Sequence, residues 1–253
     1  MKKIYVPMIR FGDKEFDEGY VGWGFNSYDE QMRDAVGVMS ILRKPAMKIL
    51  DLGCGLAIYH KAWLDKGHTV VGIDISETFI LMANNANDSY KNASYRCENF
   101  ETLEDENEYD CVTMIDTPLE DPDIAKLTFR ALKPGGHLLF QVGNAYYKHP
   151  RGPLFRNSRN WQENEDRTFL LTRHEYDEGN ECWVDEEWSI DIEKDEIVVQ
   201  HNHSRNLAFK DYVEMLTDIG FATVFFCDVH GKPAEYGASE AKNYFCVAYK
   251  GEI

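Results

Sequence analysis

The run Lys48-Ile49-Leu50-Asp51-Leu52-Gly53-Cys54-Gly55, followed after a helix-length gap by Val70-Val71-Gly72-Ile73-Asp74, constrains this chain more than any other feature. The first segment is apolar and ends in a glycine-rich turn; the second is apolar and ends in an acid. A strand, a loop without bulky side chains, a helix and a second strand tipped by a carboxylate make one βαβ unit. In such a unit the loop and helix N-terminus approach the polar tail of a nucleoside ligand, while the carboxylate takes ribose hydroxyls. Gly53 and Gly55 let the backbone come closer than a Cβ would allow. Asp74 can accept two hydroxyl hydrogen bonds at once.

From Met47 onward strand and helix patterns alternate: strand 47–52, helix 56–66, strand 69–74, helix 76–87, strand 93–97, strand 109–115, helix 121–132 and strand 136–142. Repeated βα units with short connections predict a parallel sheet covered on both faces. Ser76 is the expected N-cap for the second helix. Ahead of this body, residues 1–26 are rich in aromatics and glycine without a clear period, which predicts an irregular arm. Ser27-Tyr28-Asp29-Glu30 has capping-box spacing and opens a helix that runs to Leu42. The alternation breaks at Gly143. Residues 143–165 read as loop, and strand-like runs near 167–175, 182–191 and 196–205 predict an inserted antiparallel meander. Helix 209–219, closed by Gly220, and strands 222–228 and 243–249 resume the body. Trp161, Trp183 and Trp188 are expected to pack the meander.

The chain has 253 residues and a net charge of -17, from 44 acidic and 27 basic residues. A field of that sign repels phosphate backbones and anionic membrane surfaces, so nucleic acid and membrane are poor partners and a small molecule is the expected one. Arg151, Arg156 and Arg159 form the only notable basic cluster. Six scattered cysteines show no CxxC pair and no zinc-like spacing, so no metal is expected. With neither a signal-peptide pattern nor an apolar window long enough for a membrane span, a reduced cytoplasmic location is the expectation.

Ile49-Leu50-Asp51-Leu52-Gly53-Cys54-Gly55 resembles the first motif of class I S-adenosylmethionine-dependent methyltransferases, and Asp74 stands where that family keeps its ribose-binding acid. Cys97-Glu98-Asn99-Phe100-Glu101-Thr102-Leu103 resembles the adenine-contacting segment, and Tyr109 to Asp116 the fourth strand. Ala131-Leu132-Lys133-Pro134-Gly135-Gly136 resembles the turn before the fifth strand, and Leu207 to Phe221 the late helix and turn. The resemblance implies an α/β fold, Rossmann-like and doubly wound, with a seven-stranded sheet and an antiparallel β insertion after the fifth strand. It implies S-adenosylmethionine as cofactor, bound by Asp51, Gly53, Cys54, Gly55, Asp74, Ile75, Asn99, Phe100 and Asp116. Asp51 would meet the ligand's ammonium, directly or through water, and Ile75 and Phe100 would sandwich the adenine. The sequence departs from the family pattern twice: Ala57 replaces the third glycine of the loop, and Asn99 the adenine-contacting acid. An oxidoreductase binding a dinucleotide is the nearest rival, but the GCGLA turn lacks the third glycine of GxGxxG.

Methyl transfer from a sulfonium is an in-line displacement, so catalysis can rest on positioning, with a base only where the nucleophile must lose a proton. Asp116 lies just beyond a strand C-terminus, where doubly wound folds place ligands, though it also reads as an ordinary loop acid before Pro118. Tyr146, Tyr147 and His149 follow the fifth strand and can line an acceptor pocket. His201, His203 and Arg205 share one face of an inserted strand, which looks either into the cleft or to solvent. Tyr20, Trp23, Phe25 and Tyr28 of the arm can close over a cationic methylsulfonium or pack on the sheet edge. The expected boundaries are 1–44 for arm and helix, 45–142 for the core, 143–206 for the acceptor-side insertion and 207–253 for the rest of the core. The function these residues predict is methyl transfer to a small-molecule oxygen or nitrogen nucleophile, with Asp116, Tyr146, His201 and Arg205 on the acceptor side. A protein methyltransferase and a non-catalytic S-adenosylmethionine-binding scaffold remain alternatives. Oligomeric state stays open, a homodimer being one option.

Overall fold

A computed structural model of the chain describes residues 1–7, 11–14, 17–18, 37, 39–40, 42, 44–143, 157–163, 168–177, 182–205, 207–234 and 243–252. The strands are β1 (Lys2–Pro7), β2 (Lys48–Leu52), β3 (Thr69–Asp74), β4 (Ala93–Cys97), β5 (Tyr109–Met114), β6 (Leu132–Gly143), β7 (Asn157–Glu163), β8 (Thr168–Asp177), β9 (Cys182–Asp191), β10 (Glu196–Arg205), β11 (Thr223–Cys227) and β12 (Asn243–Tyr249). The helices are α1 (His60–Leu64), α2 (Glu77–Ala86), α3 (Pro122–Ala131) and α4 (Phe209–Ile219). They fall into two units: Met1–Arg10 with Ala145–Leu207, and Phe11–Asn144 with Ala208–Ile253.

The larger unit holds a seven-stranded sheet in the order β11-β12-β6-β5-β2-β3-β4. The five strands from β6 to β4 run parallel, and β12 and β11 add antiparallel pairs at one end. Ile49, Leu50, Leu52, Val70, Ile73, Val112, Met114, Leu138, Leu139 and Phe140 are buried, as expected of strands covered on both faces. Local chemistry sets the helix ends. The Ser76 hydroxyl accepts the Phe79 N–H at 3.1 Å and starts α2. Asp121 accepts from Asp123 N–H, with Pro122 at the first turn of α3. Gly220, at φ 117°, closes α4 in a left-handed cap.

Two differences from the sequence-based boundaries have local causes. α1 begins at His60 instead of near residue 56, because Ala57 adopts φ 54° and holds the preceding segment in a turn. β6 starts at Leu132, ahead of the expected turn at Gly135-Gly136. That turn survives as an irregularity, where the pairing jumps from Tyr109↔Leu132 to Cys111↔His137. The expected helix over 27–42 lies largely outside the described residues, of which 37, 39 and 40 are helical.

The smaller unit is a five-stranded sheet in the order β1-β10-β9-β8-β7. Its antiparallel meander gains two strands beyond the three expected. β7 occupies part of the expected loop; it is an edge strand of polar sequence, so period-two hydrophobicity does not mark it. Trp161 on that edge is 73% exposed, contrary to its expected packing role. β1 takes up the start of the expected irregular arm and pairs in parallel with β10, from Lys2↔Glu196 to Pro7↔His201. Lys2 N–H also donates to Asp195 C=O at 2.8 Å. Lys3 Nζ lies 3.8 Å from the centre of the Trp188 ring. Among the described residues no helix is long and apolar enough to cross a membrane.

Two buried polar groups lead to stability predictions. Lys250 Nζ donates to the carbonyls of Phe129 and Leu132, at 2.8 and 2.7 Å, and to Asn107 Oδ1 at 3.1 Å, closing the end of α3. Lys250→Met leaves those carbonyls without their donor and should lower the unfolding free energy by about 1–3 kcal/mol, read from the urea midpoint at unchanged slope. His137 has a buried Nδ1 without a partner, and burial pushes its pKa down from 6.5 to about 4. The unfolded chain therefore binds this proton first, and stability falls as pH drops from about 6.5 toward 4. His137→Asn should remove that part of the slope in chemical denaturation across the window.

Candidate active site

The glycine turn sits between the C-terminal ends of β2 and β3. The N–H groups of Gly53 and Cys54 both donate to the Ile73 carbonyl, at 2.8 and 3.0 Å. Gly53 has φ 73°, and a Cβ there would lie 2.3 Å from Thr117 Oγ1, so the position admits only glycine. Gly55, at φ 51°, has no atom of the described residues within 4 Å of where a Cβ would stand. Its backbone therefore faces open space and can be approached by a ligand. The Gly55 N–H donates to Asp74 Oδ2 at 2.8 Å, and Ser76 N–H to Asp74 Oδ1 at 2.9 Å. Burial pushes the Asp74 pKa up, with Asp17 and Asp51 adding to the rise, while the two backbone donors pull the other way. Ala57 keeps the left-handed backbone of a glycine despite its methyl group and is buried.

Asp51, on β2, is 3% exposed. Thr113 Oγ1 donates to its Oδ1 at 2.6 Å, and His60 Nε2 meets its Oδ2 at 2.8 Å. The other ring nitrogen of His60 lies 3.0 Å from Tyr95 Oη. The imidazole stacks on Tyr95, centroids 5.5 Å apart, and on Trp63 at 5.2 Å. Strand register explains this cluster. Asp51 pairs with Gly72, and Gly72 with Tyr95, so the three stand in one row across β2, β3 and β4. Without a side chain at Gly72, the Tyr95 ring and the Cys54 thiol close over β3, and the ring of His60 from α1 bridges the acid and the phenol. The Cys54 thiol is pushed up by burial and by the charges of Asp51 and Asp74, which keeps it protonated and unsuited to act as a nucleophile.

The remaining expected residues are spread more widely. Ile75 follows the tip of β3 and is 48% exposed. A Cβ on Gly12 would be 3.5 Å from Ile75 Cγ1, and Phe11 packs edge-on against Phe79. The turn at Gly12 therefore lies against Ile75. Within it Asp17, itself buried, accepts the Gly12 N–H. Asn99 caps the short 3-10 turn Phe100–Thr102: its carbonyl oxygen accepts Glu101 N–H at 3.0 Å and its amide donates to Glu101 Oε2 at 3.2 Å. Phe100 is half-buried beside it. Asp116 is exposed at φ 57° just past β5, where Tyr59 Oη donates to its Oδ2 at 3.1 Å and its own N–H reaches Gln141 Oε1 at 3.3 Å. The structure thus gathers Asp51, Gly53, Cys54, Gly55, Asp74 and Ile75 at one end of the parallel sheet, with Asn99, Phe100 and Asp116 on flanking turns.

Tyr20, Trp23, Phe25, Tyr28, Tyr146, Tyr147 and His149 lie outside the described residues. His201 and Arg205 belong to β10 in the smaller unit, paired in register with Glu186 and Cys182. The His201 side chain is exposed. Sequence reasoning missed His60, Tyr95, Thr113 and Tyr59. The signal for Tyr95 was Gly72, a glycine inside an otherwise apolar strand, which marks a close approach by another group. Gly72→Ala would set a methyl 2.7 Å from Tyr95 Cδ1 and 2.8 Å from Cys54 Sγ. Its expected outcome is a loss of about 1–3 kcal/mol in stability, with an altered near-UV dichroism of the Tyr95–His60–Trp63 stack.

Residues 49–136 match a family model described as a methyltransferase domain. Over 107 residues the chain is 35% identical to the ubiquinone biosynthesis O-methyltransferase of Idiomarina loihiensis, an overlap of 40% of this chain and 44% of that one. The chain thus spans less than half the length of this curated relative. In fold it resembles the CcbJ methyltransferase from Streptomyces caelestis (TM-score 0.63, 19% identity, 88% of this chain and 90% of that one). It also resembles an S-adenosylmethionine-dependent methyltransferase from Clostridium acetobutylicum (TM-score 0.62, 16% identity, 94% and 98% covered). The glycine turn, the acid at the tip of β3 and the sheet that aligns them all fall within or beside the matched segment. Residues 49–136 are thus similar to a methyltransferase domain, and the chain shares the fold of solved S-adenosylmethionine-dependent methyltransferases.

Proposed function

We propose that this chain transfers the methyl group of S-adenosylmethionine to an oxygen or nitrogen nucleophile on a small molecule. The observation that carries the reading is the bond between the Gly55 N–H and Asp74, beside a backbone open to approach at Gly55. The residues present fit the cofactor. Asp74 retains acceptor capacity beyond its two backbone donors and can take ribose hydroxyls. Asp51 has no Lys or Arg partner among the described residues, which suits a cationic ligand carrying an ammonium. Gly53, Cys54 and Gly55 supply the close backbone, Ile75 and Phe100 apolar walls for adenine, and Asn99 a polar edge for its exocyclic amine.

When bound, the cofactor supplies an electrophilic methyl on a sulfonium, so the protein's task is largely to align the acceptor with it. Asp116 suits the role of a base where the acceptor must lose a proton, since it stands at a strand C-terminus and the Tyr59 hydroxyl holds its carboxylate in place. Tyr146, His201 and Arg205 carry over from the sequence as acceptor-side proposals. The relative from Idiomarina loihiensis is named for methylation at oxygen, which supports an oxygen acceptor here. Its overlap is confined to under half its length, so the acceptor it names is not transferred.

Calorimetric titration with S-adenosylmethionine and S-adenosylhomocysteine tests the cofactor site. Asp74→Ala should weaken both by about tenfold or more, the size of one charge-assisted hydrogen-bond pair. Radiolabel transfer to a panel of phenols, alcohols and amines then tests turnover. Binding without transfer across the panel would favour the scaffold reading, and no binding by the wild type would overturn the site.

A further inference from the structure

His60 is a buried titratable group that methyl transfer as outlined does not use. It is fully buried, yet neither ring nitrogen lacks a partner. An apolar side chain would fill the space between Tyr95 and Trp63 without the cost of desolvating an imidazole. What histidine adds is a donor aimed at Asp51. The network closes with the imidazole proton assigned to Nε2: Tyr95 O–H donates to Nδ1, Nε2–H donates to Asp51 Oδ2, and Thr113 O–H donates to Asp51 Oδ1. Burial raises the Tyr95 pKa, so its hydroxyl stays a donor.

From this geometry we infer that His60 is a positioning residue for the methionine end of the cofactor. With Tyr95 behind it, it fixes the Asp51 carboxylate so that the acceptor positions left by His60 and Thr113 meet the cofactor's ammonium. The inference rests on the cofactor reading above. It assigns a role to a residue of α1 that lies outside the glycine motif. A carboxylate free to rotate would lose part of that attraction to conformational entropy, whereas one held on both oxygens is already oriented. Gly72 supports the arrangement by admitting the Tyr95 ring, whose hydroxyl reaches His60, since a Cβ there would lie 2.7 Å from Tyr95 Cδ1.

The test compares two ligands by calorimetry: S-adenosylhomocysteine, which keeps the amino-acid end, and 5′-methylthioadenosine, which lacks it. His60→Leu keeps an apolar filling and removes the donor; His60→Gln keeps a side-chain N–H; Tyr95→Phe removes only the hydroxyl and preserves the ring stack. His60→Leu should weaken S-adenosylhomocysteine about tenfold, equivalent to one well-placed hydrogen bond, while 5′-methylthioadenosine changes less than about twofold. His60→Gln should recover part of the loss. Tyr95→Phe should show the same selective loss in smaller measure, and it decides the matter if His60→Leu fails to fold. Equal weakening of both ligands, or no change in either, would overturn the inference while leaving the cofactor reading intact. A wild type that binds neither ligand would overturn both.

Discussion

Much of the larger unit is organised around the carboxylate of Asp74, at the tip of β3. One oxygen holds the Gly55 N–H of the glycine turn and the other the Ser76 N–H that leads into α2. Ser76 in turn caps that helix. A single buried acid therefore fixes two successive chain segments relative to the sheet. The desolvation that raises its pKa is the counterpart of that position: the charge is kept in a half-dry setting where it interacts strongly with whatever donor approaches.

A second buried acid works in the opposite way. Asp51 is tied to side chains, and in the row Asp51–Gly72–Tyr95 the missing side chain leaves a slot for the Tyr95 ring that backs His60. The polar groups in this slot satisfy one another, as buried networks must if they are to avoid a large desolvation penalty. The two acids stand toward the C-terminal ends of adjacent parallel strands, on either side of the glycine turn.

Where the chain follows local rules, its elements lie close to where pattern reading places them. β3, β4, β9, β10, β12 and α4 coincide with their expected spans, because apolar runs, caps and closing glycines act over a few residues. The misses share one physical origin: backbone pairing or conformation that the apolar pattern does not announce. β1 is a strand because β10, almost the whole chain away, offers it an edge. β7 is a strand because β8 does the same, despite a sequence that reads as loop. The delayed start of α1 is a smaller case, in which a left-handed alanine prolongs the turn.

The site divides along the same line. The backbone-forming residues Gly53, Gly55 and Asp74 were legible because their chemistry depends on residue type at fixed short spacing: freedom at positive φ, and an acid at a strand tip. The partners of Asp51 were not legible, since His60, Tyr95 and Thr113 come from α1, β4 and β5 and meet only when three strands align in register. By itself the sequence determined the class of fold, the glycine turn and the acid that anchors it, all consequences of local conformational preference and hydrophobic period. The tertiary structure alone decided which side chains hold Asp51, and that the first residues of the chain join the inserted sheet, because both depend on contacts that form only when distant segments are brought side by side.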